Sequence, residues 1–96
     1  MLFALLCTDK PNSVDLLMSV RPDHLKYLET LGSALKAAGP FTNDEGQPTG
    51  TLAVIEAETR AAAEALAAND PYAKAGLFAS VEIRPWKWLI KNPETT

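Results

Sequence analysis

The stretch SALKAAGPFTNDEGQPTGTLAVIEA, Ser33 to Ala57, decides the fold. Its first third is weakly patterned, so helix and strand compete there. Gly32 just before it and Gly39-Pro40 within it favour a strand, because glycine and proline both weaken a helix interior. The middle, TNDEGQPTG, is polar and holds two glycines and a proline, which reads as a hairpin loop. The last third, TLAVIEA, reads as a second strand. A strand–hairpin–strand unit in mid-chain constrains everything on either side of it.

Working toward the N-terminus, MLFALLCT is a continuous apolar run closed by the polar DKPNS. Its length suits a strand buried on both faces. Lys10-Pro11 marks a loop. VDLLMSV reads as a short helical turn, and a longer helix is predicted to start near Pro22 and end near Gly32. Proline suits a first turn, where its missing N–H would have no partner, and Asp23 adds negative charge at the positive end of the helix dipole.

Toward the C-terminus, TRAAAEALAAN reads as a helix with Thr59 as N-cap. DPYAKAG forms a second short helical turn. LFASVEIRPWKW is the last strand, with Leu77, Ala79, Val81 and Ile83 set against Phe78, Ser80, Glu82 and Arg84. The residues from about 90 to 96 read as a frayed tail. The order is therefore βαββαβ, a ferredoxin-like α+β fold with a four-stranded antiparallel sheet and its helices on one face. Two helices cover one face only. The first strand, apolar on both sides, calls for a second copy of the sheet on the other, so a homodimer is expected.

The chain has 96 residues and a net charge of -3, which fits a single domain over 1–96. Lysine and arginine are scattered, which argues against nucleic acid and against a membrane surface as partner. One cysteine, Cys7, excludes an internal disulfide and a cysteine-based zinc site. MLFALLC lacks a basic flank and is too short for a secretory leader, and a cytoplasmic location is expected.

The single histidine, His24, lies in VRPDHLKYLETL, Val20 to Leu31. At 100° per residue it falls inside the apolar stripe with Leu28 and Leu31, facing the sheet. Two roles fit: a core histidine bonded to backbone, or an imidazole lining a pocket where burial or a carboxylate tunes it. Asp70 opens DPYAKAG, where an N-cap role accounts for it: Pro71 follows at the first helical position and Gly76 closes the turn. Local spacing does not bring Asp70 to His24; the fold must do so. Arg21, able to hold an anionic ligand, and Tyr72 are the substrate-binding candidates. Glu82 and Arg84 project together and pair, Trp86 and Trp88 are packing anchors, and Cys7 is core. There is no glycine-rich phosphate loop, no metal-spaced histidine pair and no serine nucleophile motif, so neither metal nor cofactor is expected.

CTDKPNS after a first strand, RPDHLKYL, AGPF and NDPYAKAGLFASVEIRPW together resemble the YCII-related family, over Met1 to about Trp88. The resemblance implies a dimeric α+β barrel and a site centred on a histidine–aspartate pair, matched here by His24 and Asp70. Muconolactone isomerases share the broader architecture, and a dehydrochlorinase of a chlorinated hydroxyquinol stands close to the family. The chain departs from the pattern at Leu17 and Met18, where many members carry a basic residue. The short segment between HLKYL and AGP implies an abbreviated second strand.

Three functions follow from these readings. One is a cofactor-free enzyme using His24 and Asp70 for general acid–base isomerisation or elimination on a small hydroxylated aromatic or lactone. Another is a small-ligand binding module without turnover. The third is haem binding through His24, as in related barrels, which no other residue supports.

Overall fold

The computed structural model describes residues 1–94. Its elements are β1 (Leu2–Asp9), α1 (Val14–Thr30), a 3-10 turn (Gly32–Ala34), β2 (Leu35–Thr42), β3 (Pro48–Glu56), α2 (Arg60–Ala68), α3 (Pro71–Lys74) and β4 (Phe78–Trp86). The four strands form one antiparallel sheet in the order β2-β3-β1-β4. This is the ferredoxin-like βαββαβ arrangement.

The hairpin at the centre of the chain is built around Asn43. Its side-chain oxygen accepts from the backbone N–H groups of Glu45 and Gln47, at 2.9 and 3.0 Å. Asparagine thereby closes the turn that joins β2 to β3. β2 is not abbreviated: it runs eight residues, as long as β1. The 3-10 turn shortens the connection from α1 instead of the strand.

The core lies between the sheet and α2. Phe3, Leu5 and Cys7 of β1 point to the same face as Ala53 and Ile55 of β3, as their cross-strand register requires. Ala63, Leu66 and Ala67 of α2 pack on them. Alanine lets this helix approach closely, and Thr59 caps it by accepting from the Ala62 N–H at 3.1 Å. Gly50 answers to a similar demand for closeness: a Cβ there would drive into the carbonyl oxygen of Cys7 on the neighbouring strand.

β1 is not buried on both faces. Phe3, Leu5 and Cys7 are buried, whereas Leu2, Ala4 and Leu6 on the opposite face are only partly covered. That face also carries half-exposed Leu52 and Trp86, paired in register with Leu6 and Leu2. β4 alternates differently from the simple pattern. The register between β1 and β4 slips at Thr8/Asp9, so that Asp9 meets Phe78 and Ala79 is skipped. The bulge turns Phe78 onto the core beside Ile83. Leu77, just before the strand, is fully buried against Leu17 and Tyr72.

The region around Pro22 also departs from the expected pattern. VDLLMSV and the following segment form one helix of 17 residues, with Pro22 in its interior and Asp15 as the acid of its first turn. Proline removes one N–H from the ladder there. Pro22 is exposed, so the freed backbone position faces outward. Beyond β4 the chain folds back. The rings of Trp86 and Trp88 lie 5.6 Å apart. The Trp88 indole N–H donates to the Ile90 carbonyl at 2.8 Å, and Lys36 pairs with Glu94 at 2.8 Å. The stretch expected to fray thus carries its own bonds as far as Glu94, and residues 95 and 96 lie outside the described residues. No helix among the described residues is long and apolar enough to cross a membrane.

Candidate functional site

Asp70 and α3 form the rigid half of the site. Asp70 occupies the N-cap with extended backbone, and its Oδ1 accepts from the Tyr72 N–H at 2.9 Å. Pro71 fills the first helical position. At the other end Gly76, at φ +76°, donates to Ala73 while Leu77 donates to the Tyr72 carbonyl. This is the Schellman closure, and its left-handed residue is why glycine stands there. Tyr72 is thereby held at both its N–H and its carbonyl.

His24 comes from the inner face of α1. Its Nδ1 lies 2.9 Å from each carboxylate oxygen of Asp70, across 46 residues of chain. Its ring is stacked on that of Tyr72, centroids 3.9 Å apart and planes 12° from parallel. Phe78 meets the far side of Tyr72 edge-on at 6.1 Å. One turn along α1, the Tyr27 hydroxyl donates to the Leu66 carbonyl at 2.7 Å and ties α1 to α2. The imidazole is 7% exposed, so it is confined by Asp70 and Tyr72 rather than by solvent.

An ionised carboxylate can only accept, so a neutral His24 carries its proton on Nδ1 and presents a lone pair at Nε2. The bifurcated contact also stabilises the imidazolium once that lone pair has taken a proton. Both are properties of a general base held in a fixed orientation.

In front of the imidazole lies a cleft of ≈ 320 Å³ between α1 and the β2–β3 side of the sheet. Leu17, Met18, Arg21, His24, Leu25 and Leu28 form its helix wall. Ala38, Gly39 and Pro40 of β2 and Gly50 and Thr51 of β3 form the opposite wall, and Tyr72 also lines it. Behind the pair is a void of ≈ 30 Å³, bounded by His24, Asp70, Tyr27, Cys7 and Thr51 among others, large enough for a water.

Burial and the local acids set the ionisation of the surrounding groups. The Cys7 thiol is pushed up to about 12, first by burial and then by the Asp70 and Asp9 charges. Tyr72 is raised by burial, with Arg21 opposing and Asp70 and Asp9 adding. Tyr27 is raised by burial and by Asp70. These phenols and the thiol therefore stay protonated at neutral pH.

The four residues singled out from the sequence meet in one place: His24 and Asp70 as a bonded pair, Tyr72 stacked on the first and bonded to the second, Arg21 on the cleft wall one turn before His24. Glu82 and Arg84 pair loosely at 3.8 Å on the surface and take no part. Asp9 escaped sequence reading. Burial raises its carboxyl, and no donor among the described residues reaches its Oδ1. The available signal was an acid directly ending an apolar strand. No cluster of three or more potential metal ligands occurs among the described residues.

Fold and site together define an α+β protein of ferredoxin-like topology with a histidine–aspartate pair at a helix–sheet cleft. Residues 1–87 match the YCII-related domain, and the chain belongs to that family. It is 38% identical to the protein YciI of Escherichia coli O6:H1, covering 91% of this chain and 97% of that one. It is 34% identical to an uncharacterised protein of Haemophilus influenzae over the same share. Among solved structures it resembles the 5-chloro-2-hydroxyhydroquinone dehydrochlorinase of Burkholderia phenoliruptrix AC1100 in complex with 2,5-dihydroxybenzoquinone, with TM-score 0.84, 34% identity, and coverage of 91% of this chain and 94% of that one. An antibiotic biosynthesis monooxygenase shares the fold at TM-score 0.56 and 14% identity, covering 93% of this chain and 99% of that one.

Proposed function

We propose that this protein is a cofactor-free acid–base enzyme that isomerises, or eliminates a group from, a small hydroxylated aromatic or lactone. The observation that carries the proposal is the bifurcated contact of His24 Nδ1 with both oxygens of Asp70, at 2.9 Å each. It directs the free nitrogen of the ring to act as a base at a cleft wall. The similarity to a dehydrochlorinase that holds a dihydroxybenzoquinone supports the substrate class.

In this scheme Nε2 removes a proton from a ring hydroxyl, or from carbon beside a carbonyl. Asp70 stabilises the imidazolium that forms, and Arg21 holds the developing negative oxygen. The electron pair expels a leaving group from an adjacent carbon, or the imidazolium returns the proton at a new position. Such a pair contributes roughly 10²–10⁴-fold per proton transfer. The protein acts in the cytoplasm as a homodimer, with a second copy covering the open sheet face of Leu6, Leu52 and Trp86. Their partial exposure supports that reading.

The test is turnover against a panel of hydroxylated aromatics, quinols and lactones, with His24→Asn alongside wild type. Turnover lost in the variant supports the enzyme. Saturable binding with no turnover of any panel member shows a ligand-binding module instead. Sedimentation at micromolar concentration tests the dimer, and a monomer would refute it.

A further inference from the structure

The inner face of α1 does something unusual for an amphipathic helix. Leu17, Met18, Arg21, His24, Leu25 and Leu28, all at one-face spacing, line a cleft, and of these only Leu17 and His24 are buried. Met18, Arg21 and Leu25 lie in line along that face, three and four residues apart. Met18 is 56% exposed and Leu25 44%, so the guanidinium is flanked at the cleft by two bare apolar side chains. The facing wall of Ala38, Gly39, Pro40 and Gly50 is small and flat. Among the described residues, Arg21 is the one Lys or Arg lining the cleft, and no Asp or Glu lines it.

A polyhydroxylated ring offers oxygens to Arg21 and His24 but nothing apolar to Met18 and Leu25. Size points the same way. An apolar cavity of about 150 Å³ suffices for benzene, and the cleft is ≈ 320 Å³. We infer that the cleft takes a ring compound bearing an apolar substituent, with its ring oxygen at Arg21 and Met18 and Leu25 as the residues that select the substituent. This rests on the acid–base reading of the same cleft and adds to it the kind of substrate.

The experiment compares 2,5-dihydroxybenzoquinone with its 3-propyl derivative, by calorimetry and by the NMR signal of the single imidazole. A buried methylene is worth about fourfold in affinity, so the propyl compound is expected to bind at least ~10-fold more tightly to wild type. In Met18→Thr/Leu25→Thr, both sites being exposed, the ratio is expected to fall below ~3-fold. Equal affinities in wild type, or a ratio that survives the double substitution, overturn the inference. If only the parent compound binds, or both bind equally, the acid–base reading stands without the inference. If neither binds nor shifts the imidazole signal, the inference is overturned, and turnover of the substrate panel decides the acid–base reading.

Discussion

Tyr72 lies flat on His24, with 3.9 Å between ring centroids, and the Tyr72 N–H bonds the same Asp70 carboxylate that holds the imidazole. One acid therefore serves as helix cap and as histidine partner. The two roles separate on substitution, because an amide can cap but carries no charge.

Asp70→Asn is expected to keep the fold, with a stability loss of about 1 kcal/mol or less, since the amide oxygen still accepts from Tyr72 N–H. Turnover on the best panel substrate is expected to fall by roughly 10²–10⁴-fold, as the imidazolium loses its counter-charge. Denaturant melts and initial rates measure the two effects. Full turnover in this variant would leave Asp70 a cap and nothing more.

Tyr72→Phe retains the ring stack, whereas Tyr72→Leu removes it. The leucine variant is expected to lose about 0.5–1.5 kcal/mol more than the phenylalanine variant, the usual worth of an aromatic pair beyond its area. Urea midpoints of the two variants decide the matter. Equal midpoints would show that the stack contributes only burial.

Cys7 should resist a thiol reagent at pH 8 until the protein unfolds, because its pKa is about 12. The same shift carries a pH dependence. In the unfolded chain the thiol ionises near its ordinary value of 9.0, in the folded one near 12. Below pH 9 both states are protonated and nothing is lost. As pH rises from 9 toward 12 only the unfolded state ionises, so stability drops. Tyr27 and Tyr72, both raised by burial from 10.0, add to the drop above pH 10. Cys7→Ala should abolish the part that begins at pH 9, read from denaturant midpoints against pH. An unchanged alkaline profile would remove Cys7 from the account.

Gly50→Ala is expected to destabilise by about 1–3 kcal/mol, because the added methyl meets the Cys7 carbonyl and the strands must part. Gly39→Ala, whose Cβ meets nothing within 4 Å, is the control. Similar losses at both positions, measured by thermal melts, would deny the close approach.

The sequence showed the architecture well because its evidence is local and repeated: period-two strands, an alanine-rich helix after Thr59, a polar hairpin around Asn43. It also showed His24 turned inward and Asp70 as a cap. Their meeting across 46 residues was accessible only through family resemblance, since no spacing rule reports a contact between α1 and α3. Pro22 misled because its preference for a first turn is a local rule, overridden where the helix exposes that position. Phe78 misled because alternation along β4 cannot see the extra residue opposite Asp9. Asp9 itself is only partly covered, and the enclosure of its Oδ1 comes from the folded chain, which its neighbours in sequence do not reveal.

Of the 17 residues of α1, only Leu17 and His24 are buried. A helix so lightly anchored draws little of its order from the core and depends on what fills the space beside it. Its backbone amides should therefore exchange with deuterium through local opening well below the cost of global unfolding. A ligand seated in the cleft would close that opening, by an amount set by its concentration relative to its dissociation constant. Slowed exchange along Leu17 to Leu28, with β1 and β3 unaffected, would report occupancy without any knowledge of the reaction.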